Sequence, residues 1–222
     1  VHFLIKVGTL SKFSKEWESG RSGVKAVLRP QQPFRPRLEF AIRRIEGQSQ
    51  RVEATINRLK ERDRSLFSKV VDAYSKHDTQ RANAFAGELA EIRKTANFMM
   101  NAKLALERVV LRLRTVTEIG NAAAAIAPAV NVLQSVRKGI SGILPGAEQE
   151  LGAVANLLNE IIIEAGQTTG MGFDFEAASE DAQKILGEAA IVAEQRMKEK
   201  FPELPALKAP GEHVEESQYG NP

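Results

Sequence analysis

Apolar residues recur along two long stretches at alternating steps of four and three. The first runs Leu38, Ile42, Ile45, Ser49, Val52, Ile56, Leu59, Asp63, Leu66 and Val70, with eight of the ten positions apolar. That spacing lines one stripe of a helix and fits no strand. No proline interrupts residues 38–74, so the predicted helix is about 55 Å long at ~1.5 Å per residue. Ser75 to Gln80 is polar and turn-like, and Asp78 or Thr79 can cap the next helix. The second stretch, Arg81 to Ile119, carries Phe85, Leu89, Ile92, Ala96, Met99, Lys103, Leu106, Val110, Leu113 and Thr117, again eight apolar in ten. Two long matched stripes joined by a short turn predict an antiparallel helical hairpin in which each seam covers the other. Met99 and Met100 then read as core filler.

The rest of the chain is also helical in pattern. Gly120 permits a bend, and residues 122–141 form an Ala-rich third helix with Ile126, Val130, Leu133 and Val136, Pro128 being placed in its tolerant first turn. Pro145-Gly146 breaks the chain. Residues 148–165 make a fourth helix through Leu151, Val154, Leu157, Leu158, Ile161 and Ile162. Gly166 to Ser179 reads as a flexible joint, Glu180 to Lys200 as a last helix, and the proline-containing remainder as extended tail. At the other end, Phe3, Val7, Leu10, Phe13 and Trp17 fall on one helical stripe with Lys6, Lys12 and Lys15 off it. Such a stripe fits a membrane interface or the protein's own core equally well. Residues 20–37 are basic and punctuated by Gly and Pro, as a loop is. The expected class is all-α: a long antiparallel hairpin, smaller helices and a flexible tail. The chain divides into three regions: an amphipathic basic segment and linker at 1–34, a helical core at 35–165, and a linker, helix and tail at 166–222.

Composition removes most catalytic chemistry. There are no cysteines, so disulfides and thiolate metal sites are excluded, and the three histidines lie far apart. No GxxxxGK[ST], HExxH or nucleophile elbow occurs, and the Gly170-Met171-Gly172 run follows no strand. Neither an enzyme nor a cofactor or metal is expected. No apolar run approaches the ~20 residues that span a bilayer, and the first residues are too short for a secretory signal. The expected location is cytoplasmic. Net charge is only +3, yet residues 1–120 hold 24 basic and 13 acidic side chains, and residues 121–222 hold 7 and 15. A basic half is therefore joined to an acidic half.

Two charge rows sharpen this. Arg37, Arg44, Arg51 and Arg58 recur every seven residues beside the apolar seam, and Glu39, Glu46 and Glu53 do so along its other flank. Side-by-side copies can pair such edges; the plainer alternative is pairing inside the hairpin, at about 0.3–0.5 kcal/mol per pair. The basic half can also meet anionic lipid at about 1 kcal/mol per cation, through Lys6, Lys12, Lys15, Arg21, Lys25 and Arg29 beside the Phe3–Trp17 stripe. A nucleic-acid-binding coiled coil is the competing reading, supported by a pI near 9.2 and opposed by the acidic half and the lack of a recognised binding fold.

Residues 35–78, with AIRRIE near their start, and residues 81–120, with LAEIRK and ALERVVLRL, follow one another in an order that resembles the core of ESCRT-III proteins, most of all the archaeal CdvB-type cell-division paralogues. The likeness covers residues 35–165. It implies a hairpin core whose smaller helices fold back when closed and extend on assembly. It implies polymers of self and paralogous subunits that constrict membrane necks in division or vesicle release, with no catalytic activity in the subunit. A partner AAA ATPase would supply the energy through its MIT domain. Phe201-Pro202-Glu203-Leu204-Pro205 is similar to the family's extended MIT-docking motif, with Leu204 filling the pocket and the prolines presetting the shape. Some members carry a winged-helix module after this motif; too little sequence follows Pro205 here, so the chain resembles a shorter paralogue. By the same resemblance it sits on the inner face of the cell membrane at the division site.

Overall fold

The computed structural model describes residues 33–119, 122–169 and 175–201. Five helices make up these residues: α1 (Phe34–Ser75), α2 (Thr79–Ile119), α3 (Ala122–Ile140), α4 (Pro145–Thr169) and α5 (Phe175–Lys200). The all-α expectation is met, with no strand among the described residues.

α1 and α2 pack along each other as the seams predict. Leu38, Ile45, Val52, Leu89, Ala96, Met99, Leu106 and Leu113 have no exposed surface. Fully burying a Leu or Ile side chain contributes roughly 1.5–3 kcal/mol, so each turn of the seam adds a comparable increment. The turn between the helices is a Schellman motif. The Asp78 N–H donates to the Ala73 carbonyl at 3.0 Å and the His77 N–H to the Tyr74 carbonyl at 3.0 Å. His77 takes φ 57°, the left-handed conformation such a stop requires. Asp78 then caps α2: its Oδ1 accepts from the Arg81 N–H at 3.0 Å.

α3 packs on α2, α4 on α3 and α1, so the four helices close a ring, and α5 lies outside it on α2 and α3. The main core fills this ring and extends beneath α5. A second cluster of Leu66, Val70, Leu89 and Ile92 lies nearer the hairpin turn; among the described residues only Leu59 packs against both. The Phe98 ring crosses Gly139, where a Cβ would stand 2.1 Å from its Cζ. A side chain at 139 would displace that ring.

Several helix limits and the place of one proline differ from expectation. α1 begins at Phe34 inside the anticipated loop, because Pro36 falls in the first turn, where the missing N–H has no intrahelical partner to lose. Pro128 lies in the second turn of α3, not the first. It deprives the Ala124 carbonyl of its usual donor, and Arg112 Nε donates to the adjoining Ala125 carbonyl at 3.2 Å. Pro145 opens α4 instead of only breaking the chain, as a first helical residue it suits. The anticipated joint at 166–179 is mostly helix, since α4 runs to Thr169 and α5 starts at Phe175.

Candidate functional site

The arginine row of α1 is divided. Arg37 reaches α4, with Nη1 2.6 Å from Glu164 and Nη2 3.1 Å from Glu160. Arg44 pairs with Glu150 of α4 and stacks over Phe40 at 5.2 Å. Arg51 and Arg58 make no ion pair among the described residues and are exposed; Arg58 donates to Thr55 Oγ1 at 3.1 Å. The division arises from where α4 begins: Arg51 stands beside Gly146, at the start of that helix.

The glutamate row turns to its own chain. Glu39 pairs with Arg35 at 3.2 Å. Glu46 and Glu53 cross to α2, to Arg114 and to Lys103 at 3.4 Å. Lys103 also meets Glu107 at 2.8 Å. Burial alone would lower the Lys103 pKa, but Glu107 and Glu53 outweigh it and raise it above the ordinary lysine value.

α5 is held by charge as well. Arg112 Nη2 is 2.7 Å from Asp181, and Arg108 pairs with Glu188. The charge asymmetry thus has a structural expression: α4 and α5 lay carboxylates against arginines of α1 and α2. The anticipated rows were legible as periodic charges, but the carboxylates Glu150, Glu160, Glu164, Asp181 and Glu188 were not singled out. The only signal for them was the opposite net charge of the two halves.

Polar groups also lie inside. Asp63, 4% exposed, sits in the seam and takes Arg93 Nε at 2.6 Å and Nη2 at 3.3 Å. Asp63 was visible in the sequence as a gap in the apolar pattern; its partner was not. Gln48 Oε1, Asn97 Oδ1 and Asn101 Oδ1 are buried with no hydrogen-bond partner.

Of the tail motif, Phe201 ends the described chain; it is buried, and its N–H donates to the Met197 carbonyl at 2.9 Å. Pro202, Glu203, Leu204 and Pro205 lie outside the described residues. So do all the anticipated membrane contacts: Phe3, Lys6, Val7, Leu10, Lys12, Phe13, Lys15 and Trp17. Among the described residues no cluster of His, Asp and Glu suits a metal ion, and no helix is long and apolar enough to cross a membrane.

No model of a known protein family matches the chain, and no solved structure does. Curated proteins do match. The chain is 42% identical over 195 residues to Cell division protein B1 of Sulfolobus acidocaldarius, which covers 88% of this chain and 90% of the relative. It is 34% identical over 162 residues to Cell division protein B of the same organism, covering 73% of this chain and 62% of that one.

Proposed function

Because this chain belongs to the CdvB family of cell division proteins, we propose that it is an ESCRT-III-like filament subunit that assembles on the inner face of the membrane to constrict a neck during division. The observation that carries this reading is the divided arginine row. Arg37 and Arg44 are occupied by α4, while Arg51 and Arg58 are open to a neighbour. The folded-back arrangement is then the closed subunit. When α4 swings out, Arg37, Arg44, Arg51 and Arg58 face the flank of the next copy as one line. Glu39, Glu46 and Glu53 supply the opposing edge, exchanging partners within the chain for partners between chains.

Two further contacts complete the proposal. The Phe3–Trp17 stripe with Lys6, Lys12 and Lys15 anchors the filament to anionic lipid. Apolar burial and charge are each weak, and together they suffice for peripheral attachment. The stretch Pro202 to Pro205 offers the MIT domain of an AAA ATPase an extended ligand, which Phe201 joins once it leaves its buried seat, and pulling there disassembles the polymer. Paralogous subunits share the polymer.

The test is charge reversal. Arg44→Glu, Arg51→Glu and Arg58→Glu together are expected to abolish filaments on anionic vesicles in electron microscopy while circular dichroism keeps its helical amplitude. Filaments that persist would sink the lateral-contact reading. Vesicle sedimentation run beside a duplex-DNA shift assay decides between lipid and nucleic acid: DNA binding at physiological salt without lipid binding would replace the proposal with the coiled-coil alternative.

A further inference from the structure

Two of the helices laid back on the hairpin are attached in different ways. α4 buries Leu151, Val154, Leu158, Ile161 and Ile162. The buried apolar residues of α5 are Ala178, Ala182, Ala189 and Ala193, with Ile185, Leu186 and Val192 only partly covered; one large side chain, Phe201, is buried just past its end. A methyl group buries a fraction of what a leucine side chain does. The ion pairs of α5 are also half-open: the Asp181 and Glu188 side chains are 38% and 65% exposed. Water screens such pairs.

The surface beneath α5 is the second difference. Asn97, Asn101, Arg108 and Arg112 succeed one another at steps of four, seven and four. At ~100° per residue they fall within about 60° of one another on α2. Arg108 and Arg112 fix this as the face that carries α5, running antiparallel, with Glu188 and Asp181 opposite them. Continued toward the hairpin turn, the same register brings the last turns of α5 over Asn101 and Asn97. The side-chain oxygens of both are buried there without a donor. Gln48 Oε1, the third such oxygen, belongs to α1, away from this face.

We infer that Asn97 and Asn101 set how readily α5 leaves the hairpin. While α5 is docked, both amide oxygens are cut off from water and receive no hydrogen bond. When it lifts, water solvates them. An unmatched buried amide shifts such an opening equilibrium by about tenfold toward the open side. The two asparagines thus work against a helix whose alanines grip weakly, and keep it detachable while α4 stays seated. This role rests on the filament-subunit reading and deepens it by naming the residues that regulate one of its closed-state helices.

Hydrogen exchange of the full-length protein, read by mass spectrometry, tests it. Asn97→Leu with Asn101→Leu is expected to slow exchange across residues 175–200 by about tenfold or more, with the α1 and α2 core unchanged. Unchanged or faster exchange in α5, with helicity intact, overturns the inference. Should the double variant lose helicity, Asn101→Ala removes an orphan acceptor without adding bulk and is expected to slow α5 exchange by several-fold; no slowing there overturns it too. Asp181→Asn with Glu188→Gln is the opposite control and speeds α5 exchange. Filament formation on vesicles of mixed neutral and anionic phospholipid is a separate arm. Slowed exchange with undiminished filaments leaves the asparagine role standing and removes α5 release from the proposed assembly route.

Discussion

At position 63 the seam pattern asks for a branched apolar residue and receives an aspartate. Its carboxylate is enclosed and takes two donors from Arg93. Removing one partner from such a pair leaves a charge stranded, which typically costs several kcal/mol. The Arg93 side chain keeps 19% exposure and can turn to water, so Asp63→Ala is expected to lower stability to urea by about 2–4 kcal/mol. Asp63→Leu with Arg93→Met is expected to recover most of that loss. A double variant as unstable as Asp63→Ala would show that the pair does more than satisfy itself. Lys103 behaves differently because its pKa is raised in the fold. Its contribution is whole below the unfolded value of 10.5 and fades as pH climbs through the higher folded value. The stability gap between the wild type and Lys103→Met should therefore be constant at neutral pH and shrink only in strong alkali, as followed by denaturant titrations. Of these groups the sequence disclosed the positions, as breaks in an apolar period. The partners were hidden, because a local pattern on one helix says nothing about which residue stands opposite on another.

Among the elements, the hairpin was the most legible. Nearly every anticipated seam residue of α1 and α2 is buried or half-buried, since a four–three period leaves one face to cover and a short turn leaves one partner to cover it. Helix ends were the least legible. Prolines 36, 128 and 145 all sit inside helices, where the cost of a missing N–H depends on the turn it occupies and on side chains such as Arg112 that come from elsewhere. The turn itself is testable. His77 holds a left-handed backbone angle that glycine adopts without strain, so His77→Gly is expected to gain about 0.5–1 kcal/mol in thermal melts. Asp78→Ala, which removes the cap on α2, is expected to lose about 1 kcal/mol. The candidate surface was half legible: the two charge rows were read from their seven-residue repeat, while their engagement by α4 and α2 needed the folded chain.

For the whole molecule, the small net charge conceals an internal neutralisation, basic hairpin against acidic outer helices. Ionic strength should act unevenly on it. The exposed pairs on α5 are screened readily, while the apolar ring formed with α4 is not. Raising salt from about 0.05 to about 0.5 M, where the screening length falls severalfold, is expected to speed hydrogen exchange in α5 and leave the hairpin seam unaffected. Uniform behaviour across all five helices would mean that charge does not hold α5 in place. Lipid binding through the basic half should weaken over the same range in vesicle sedimentation.

The order in which the helices rest on one another has a mechanical side. α5 lies outermost and comes last of the five in the chain, and no other described helix sits on top of it. Tension drawn on the carboxyl end therefore meets Phe201, then the alanines and half-open ion pairs of α5, before it reaches the leucine-lined seat of α4, and strips the molecule from the outside inward. The same force drawn on the start of α1 would have to shear the hairpin seam and the ring at once. In single-molecule stretching from the tail, the first rupture should be small in force and release about 90 Å of chain, the extended length of 26 residues, with the hairpin still closed behind it.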